Sequence, residues 1–151
     1  MLSGIWGDVK RSEALAILSR DHHRALFVAQ KLRRATADNA AAERRRFLDF
    51  WTSEGDRHFE LEEEQLLPAY SAYGDAHNPL VGRVLRDHVA IRVRAAALAD
   101  EPSAAPETLH ELGAALSEHV RLEERQLFAV IEEAMPADEL LALARRLEQA
   151  R

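Results

Sequence analysis

Two stretches of this chain carry the same phrase. Residues 58–70 read HFELEEEQLLPAY and residues 119–131 read HVRLEERQLFAVI, which share H-x-x-L-E-E-x-Q-L. A second pair, LSRDHHRAL at 18–26 and VLRDHVAIR at 84–92, shares R-D-H. In chain order the pattern is a lone His, then His-x-x-x-Glu, then both again. Each phrase lies in a run whose apolar residues recur every three or four positions, the period of an amphipathic helix. A chain that writes one helix pair twice, with mostly short connections, has few folds open to it.

The first stripe is Leu15, Leu18, His22, Ala25, Ala29 and Leu32, opening at Ser12-Glu13 and running to about Thr36. The second is Phe47, Trp51, Glu54, His58, Leu61, Glu62 and Gln65. Pro68 is expected to kink or end that helix, because it lacks an N–H and clashes one turn back. The third starts near Pro79 and carries Val81, Val84, His88, Ile91, Ala95 and Leu98. The fourth carries Leu109, Leu112, Leu116, His119, Leu122, Glu123, Gln126 and Val130. MPADELLALARRLEQA then reads as a shorter helix over about 136–150, with acids in its first turn. Residues 1–11 read as a short arm with Leu2, Ile5 and Trp6 available for packing. No segment alternates with period two. The expectation is a single all-α domain over 1–151. Its core is an up-down-up-down four-helix bundle over about 12–133, with a short N-terminal arm and an extra C-terminal helix.

Composition removes several alternatives. The chain has no Cys, which excludes disulfides, thiolate chemistry and cysteine-based zinc or iron–sulfur sites. A formal charge of −6 argues against a nucleic-acid surface, and the run Glu43-Arg44-Arg45-Arg46 reads as a solvated helix face. No stretch is apolar for the ~20 residues a membrane span needs. The N-terminus lacks a basic region followed by an apolar run, so the expected location is the cytoplasm.

Residues four apart on a helix are stacked one turn over the other, about 40° apart in projection. His58 and Glu62 therefore point the same way, as do His119 and Glu123, all toward the bundle interior with His22 and His88. One inward histidine is ordinarily a hydrogen-bonded core residue. Four on four stripes, with two carboxylates that are costly to bury alone, point to a bound cation. Imidazoles and carboxylates are ligands of first-row transition metals. A structural zinc ion takes four ligands, so six side chains exceed one such site. Two bridging carboxylates and imidazoles from both halves suit a pair of octahedral ions, iron first and manganese or a mixed pair second. His23, His77 and His110 fall off the inward stripes and read as surface residues.

The chain resembles the hemerythrin-like family, the HHE cation-binding domain, through Asp21-His22, His58 with Glu62, Asp87-His88, and His119 with Glu123. The likeness covers roughly 12–133. It implies a four-helix bundle holding an oxo- or hydroxo-bridged pair of iron ions that binds dioxygen, peroxide or nitric oxide. The oxygen carriers of that family have a further ligating His one turn after the third-helix His. Here that position is Arg92. Their fourth-helix carboxylate is an Asp five residues after the His, whereas this chain has Glu at 123 and again at 124, and the four-residue spacing favours Glu123. Glu63 and Glu124 stand as substitute ligands.

Losing the fifth His leaves roughly two exchangeable positions on two octahedral ions, which favours chemistry such as peroxide breakdown over storage of dioxygen. Arg92 is then the candidate catalytic residue, assisting an anionic peroxide if it points inward. Asp21 and Asp87 are candidate acceptors behind the ligating imidazoles. The competing reading is a module that binds or senses oxygen, nitric oxide or iron without turnover. No nucleic-acid or membrane partner is expected.

Overall fold

The computed structural model describes residues 11–151, so the expected packing of Leu2, Ile5 and Trp6 lies outside the described residues. Helix α1 is Glu13–Arg33, and α2 spans 40–71. Helix α3 is Pro79–Asp100, α4 spans 106–134 and α5 is Ala137–Ala150. No strand occurs among the described residues. The fold is the expected helical bundle with an added C-terminal helix.

The helix starts follow local chemistry. Ser12 caps α1, its Oγ accepting the Leu15 N–H at 3.3 Å. Asn78 accepts the Leu80 N–H at 2.9 Å, and Pro79 occupies the first turn of α3, where its missing N–H costs nothing. The arginine run is only partly a solvated face. Arg44 donates to the last-turn carbonyls of Leu98 and Ala99 on α3, tying α2 to the negative end of that helix. Glu43 is buried beneath Arg46.

Helices α2 and α4 are not uniform. Helix α2 contains π turns at Trp51–Gly55 and Glu62–Leu66, and α4 contains one at Glu123–Leu127. A π turn closes hydrogen bonds five residues back, as the Leu67 N–H does to the Glu62 carbonyl, and takes in an extra residue. The core stripe beyond it therefore slips by one. Gly55 is buried where Glu54 was expected, Leu66 replaces Gln65, and Leu127 and Ile131 replace Gln126 and Val130. The slip also accounts for Pro68, which neither ends nor breaks α2. The wide turn before it loosens the ladder, and the helix continues to Ser71.

The core has two apolar parts. One gathers Leu15, Leu18, Leu66, Tyr70, Val84 and Phe128 with Leu143 and Leu147 of α5. The other gathers Val28, Leu32, Phe47, Phe59, Ile91, Leu98, Leu112 and Leu116. Helices α1 and α4 approach closely at Gly113, where an added Cβ would meet the Ala29 carbonyl oxygen at 2.6 Å. Between the two apolar parts, at mid-height on all four bundle helices, lies a layer of histidine and glutamate.

Candidate metal centre

The six predicted ligands meet in that layer. Glu62, Glu123 and His88 are 0% exposed, and His22, His58 and His119 are also buried. Their atoms form two groups: His22, His58, Glu62 and Glu123, and then Glu62, His88, His119 and Glu123. Within each group the ligand atoms lie within 4.8 Å of one another. Both glutamates belong to both groups. Glu62 turns Oε2 toward His58 Nε2 at 3.0 Å and Oε1 toward His88 Nε2 at 3.0 Å. Glu123 turns Oε1 toward His22 Nε2 at 2.9 Å and Oε2 toward His119 Nε2 at 3.3 Å.

Each of these four histidines is held from behind at Nδ1. His22 donates to Glu124 at 2.6 Å and His58 to Asp21 at 2.9 Å. His88 donates to Glu63 at 2.6 Å and His119 to Asp87 at 3.1 Å. Such a bond fixes the tautomer and aims Nε2 at the centre. The arrangement explains the repeated Glu-Glu doublets. The π turns at Glu62–Leu66 and Glu123–Leu127 each begin at the first Glu of a doublet, and their gentler rotation lets both glutamates face inward. Glu62 and Glu123 then reach the centre, while Glu63 and Glu124 reach the back of the lone histidine across the bundle. The latter two are acceptors behind the ligands. The repeated doublet was the available sequence signal for this role. Asp21 and Asp87 stand where expected.

Buried polar atoms ordinarily have partners, so those without one mark what is missing. His22, His88 and His119 Nε2, Glu62 Oε1 and both Glu123 oxygens are buried, and although they face one another at 2.9–3.3 Å they are not aligned for a hydrogen bond. All six face the shared space, where bound cations would satisfy them together. The proton affinities carry the same message. Burial pulls the His22 imidazole down, but the adjacent Glu123 and Glu124 carboxylates outweigh it and raise it. Burial likewise opposes His58 and His119, yet Glu62 and Glu123 raise both, His119 to about 10. Burial pushes Glu123 up, and the positive imidazoles of His119 and His22 hold it well below its ordinary range.

Arg92 does not enter this space. Its guanidinium bonds Glu63 at 2.7 Å and Asp56 at 3.0 Å, behind His88. Beside the centre a cavity of about 20 Å³ opens between α1, α2 and α4, large enough for one water-sized molecule. Its apolar wall includes Phe50, Trp51, Gly55, Phe59 and Leu116, and it touches His22, His58 and His119. Of the remaining histidines, His77 is exposed as expected. His110 is instead half-buried, donating to the Ala35 carbonyl at 2.7 Å, and His23 is also half-buried.

A helical bundle whose core is divided by a doubled histidine–glutamate cluster, backed by carboxylates, is a cation-binding protein. The model of the hemerythrin HHE cation-binding domain matches residues 14–131, and the chain belongs to that family. No curated protein and no solved structure matches it. No helix among the described residues is long and apolar enough to cross a membrane.

Proposed function

We propose that this is a cytoplasmic non-haem di-iron protein that binds dioxygen or a related small ligand and breaks down peroxide. The observation that carries the reading is the sharing of Glu62 and Glu123 by two four-residue groups. A closed structural zinc site needs one tetrahedral set of four ligands. Two sets with common carboxylates suit two adjacent ions, and iron, or manganese in second place, accepts this oxygen and nitrogen donor mixture. When bound, an iron pair supplies electrons and open coordination positions for a small oxidant.

The chain's own part is placement and exclusion. His22 and His58 would hold one ion and His88 and His119 the other, with Glu62 and Glu123 common to both. The four acceptors Asp21, Glu63, Asp87 and Glu124 hold the imidazoles in register. Phe50, Trp51, Phe59 and Leu116 restrict the adjoining cavity to one small molecule. Hydrogen peroxide is among the smallest oxidants, and its disproportionation turns two peroxides into two waters and one dioxygen.

The same cavity supports a second reading, binding without turnover. Among the described residues, its acid–base groups apart from the histidines are Asp21 and Glu54. Asp21 is already engaged by His58 and Arg151, leaving little to move protons. Metal analysis, an optical spectrum of the iron-loaded protein and then added peroxide separate these readings. Catalytic loss of peroxide, absent in His58→Ala, supports turnover. A stable ligand adduct without peroxide loss supports binding alone. An iron-free protein after iron loading refutes both.

A further inference from the structure

The two lone histidines are held by more than a carboxylate. Behind His88, Glu63 Oε2 accepts from His88 Nδ1 at 2.6 Å and from Arg92 at 2.7 Å. The Arg92 guanidinium also lies over the Phe59 ring, 5.6 Å from its centroid. Phe59 in turn stacks on His88, centroids 3.8 Å apart and planes 8° from parallel. Behind His22 the same parts recur. Glu124 accepts from His22 Nδ1 at 2.6 Å and pairs with Arg11 at 3.4 Å. Arg11 lies 5.7 Å from the Phe128 centroid, and Phe128 stacks on His22 at 5.5 Å and 12°.

We propose that Arg92 and Arg11 are paired positioning residues, each clamping one lone metal-binding histidine through a carboxylate and a phenyl ring together. The inference rests on the metal-centre reading above. Of the groups that do the clamping, only the carboxylates are related by the internal repeat. Arg11 precedes α1, whereas Arg92 lies one turn after His88 on α3. Phe59 follows His58 directly, whereas Phe128 lies nine residues after His119. An arrangement inherited with the repeat would use matching positions, and this one is assembled twice from unmatched ones. Among the described residues His58 and His119 lack the full clamp: Arg151 holds Asp21 with no ring contact, and Asp87 pairs with His119 alone.

The physical effect has two parts. The carboxylate fixes the imidazole tautomer, and the stacked ring fixes its plane, so Nε2 is aimed before a metal arrives. The arginine shares the carboxylate's charge, which limits how far Glu63 or Glu124 draws the Nδ1 proton and so how strongly the imidazole donates. A free surface arginine does neither, because exposed ion pairs hold little. Arg11 is 7% exposed at its side chain. Arg92 is more open, and its hold comes from the three simultaneous partners Glu63, Asp56 and Phe59.

The test uses the full chain with cobalt(II) as probe for affinity and zinc(II) for imidazole N–H resonances in ¹⁵N-histidine protein. Stepwise cobalt dissociation constants come from chelator competition. Arg92→Gln weakens one of the two ions about tenfold and leaves the other within about twofold, by analogy with other outer partners of metal ligands. It shifts the Nδ1–H resonance of His88 and not that of His22. Arg11→Gln does the reverse. Arg92→Lys, which keeps the charge but not the fork, restores part of the affinity. Equal weakening of both ions, or unmoved resonances in Arg92→Gln and Arg11→Gln, overturns the proposal. Should either Gln variant fail to fold, the Lys variant at that position decides by the same two readouts. A wild type that binds no cobalt removes the metal reading itself and the clamp with it, whereas two bound ions that fall to one in His88→Ala uphold that reading independently.

Discussion

Because the two groups share their glutamates, single substitutions at the centre divide into two classes. His88→Ala removes one of four ligands from one group and leaves His22, His58, Glu62 and Glu123 intact. Glu123→Ala removes a ligand from both. At free metal about 100-fold above the dissociation constant, each ion bound only by the native state adds ~2.7 kcal/mol. Two ions add ~5 kcal/mol, and for a chain of this length each kcal/mol moves the melting temperature by ~2–4 °C. Adding metal to stripped wild type therefore raises its melting temperature by ~10–20 °C. In His88→Ala the rise falls to about half with one ion per chain, and in Glu123→Ala it nearly vanishes. Each rise is measured against that variant's own metal-free protein, so the packing cost of the substitution cancels. Calorimetry with parallel metal analysis reads both quantities. Equal losses in His88→Ala and Glu123→Ala would refute the shared-carboxylate geometry, and an unchanged melting temperature after verified stripping would refute metal-linked stability.

Protons and metal compete for the centre. The His119 imidazole is held at about 10 in the folded metal-free chain, above the ordinary 6.5, so its protonated form stabilises that state fully below 6.5. This stabilisation is lost as pH rises through about 10. Metal must displace the proton, so adding zinc to unbuffered apoprotein at pH 7 acidifies the solution and affinity falls toward acid, both readable by titration. Gly55→Val places side-chain atoms where a Cβ already meets Trp51 at 2.7 Å and Phe50 at 3.0 Å, beside the cavity. This variant keeps its metal but binds azide or peroxide more slowly in stopped-flow spectra. Gly113→Val forces α1 and α4 apart against the Ala29 carbonyl, costing ~1–3 kcal/mol and about 2–12 °C of melting temperature. A melting temperature equal to wild type would show that the crossing is looser than its 2.6 Å approach implies.

The sequence by itself determined the bundle and the inner ligands. Helical periodicity is local, and a residue four positions after a histidine on a continuous helix can only lie above it. Hence His22, His58, Glu62, His88, His119 and Glu123 were legible as inward residues before any coordinates. The start of α1 at Ser12, of α3 at Pro79 and of α5 just after Pro136 were legible for the same local reason, since capping depends on the residues themselves.

Only the tertiary structure decided the register after each ligand and the identity of the groups behind it. Ideal periodicity placed Glu54, Gln65, Gln126 and Val130 on the core stripe, but three π turns moved Gly55, Leu66, Leu127 and Ile131 there instead. A π turn leaves little mark in local composition: Pro68 follows the one at Glu62–Leu66, whereas Ala129 holds the matching place after the one at Glu123–Leu127. The same turns sent Glu63 and Glu124 across the bundle to His88 and His22, contacts between residues 25 and 102 positions apart. Arg92 shows the limit most plainly. Its helical position allowed it to face the centre, yet Glu63, Asp56 and Phe59, brought together from α2, offered its charge a partly solvated place beside the bundle. Which face a long side chain chooses is set by the partners that other helices deliver, and those are fixed only when the helices pack.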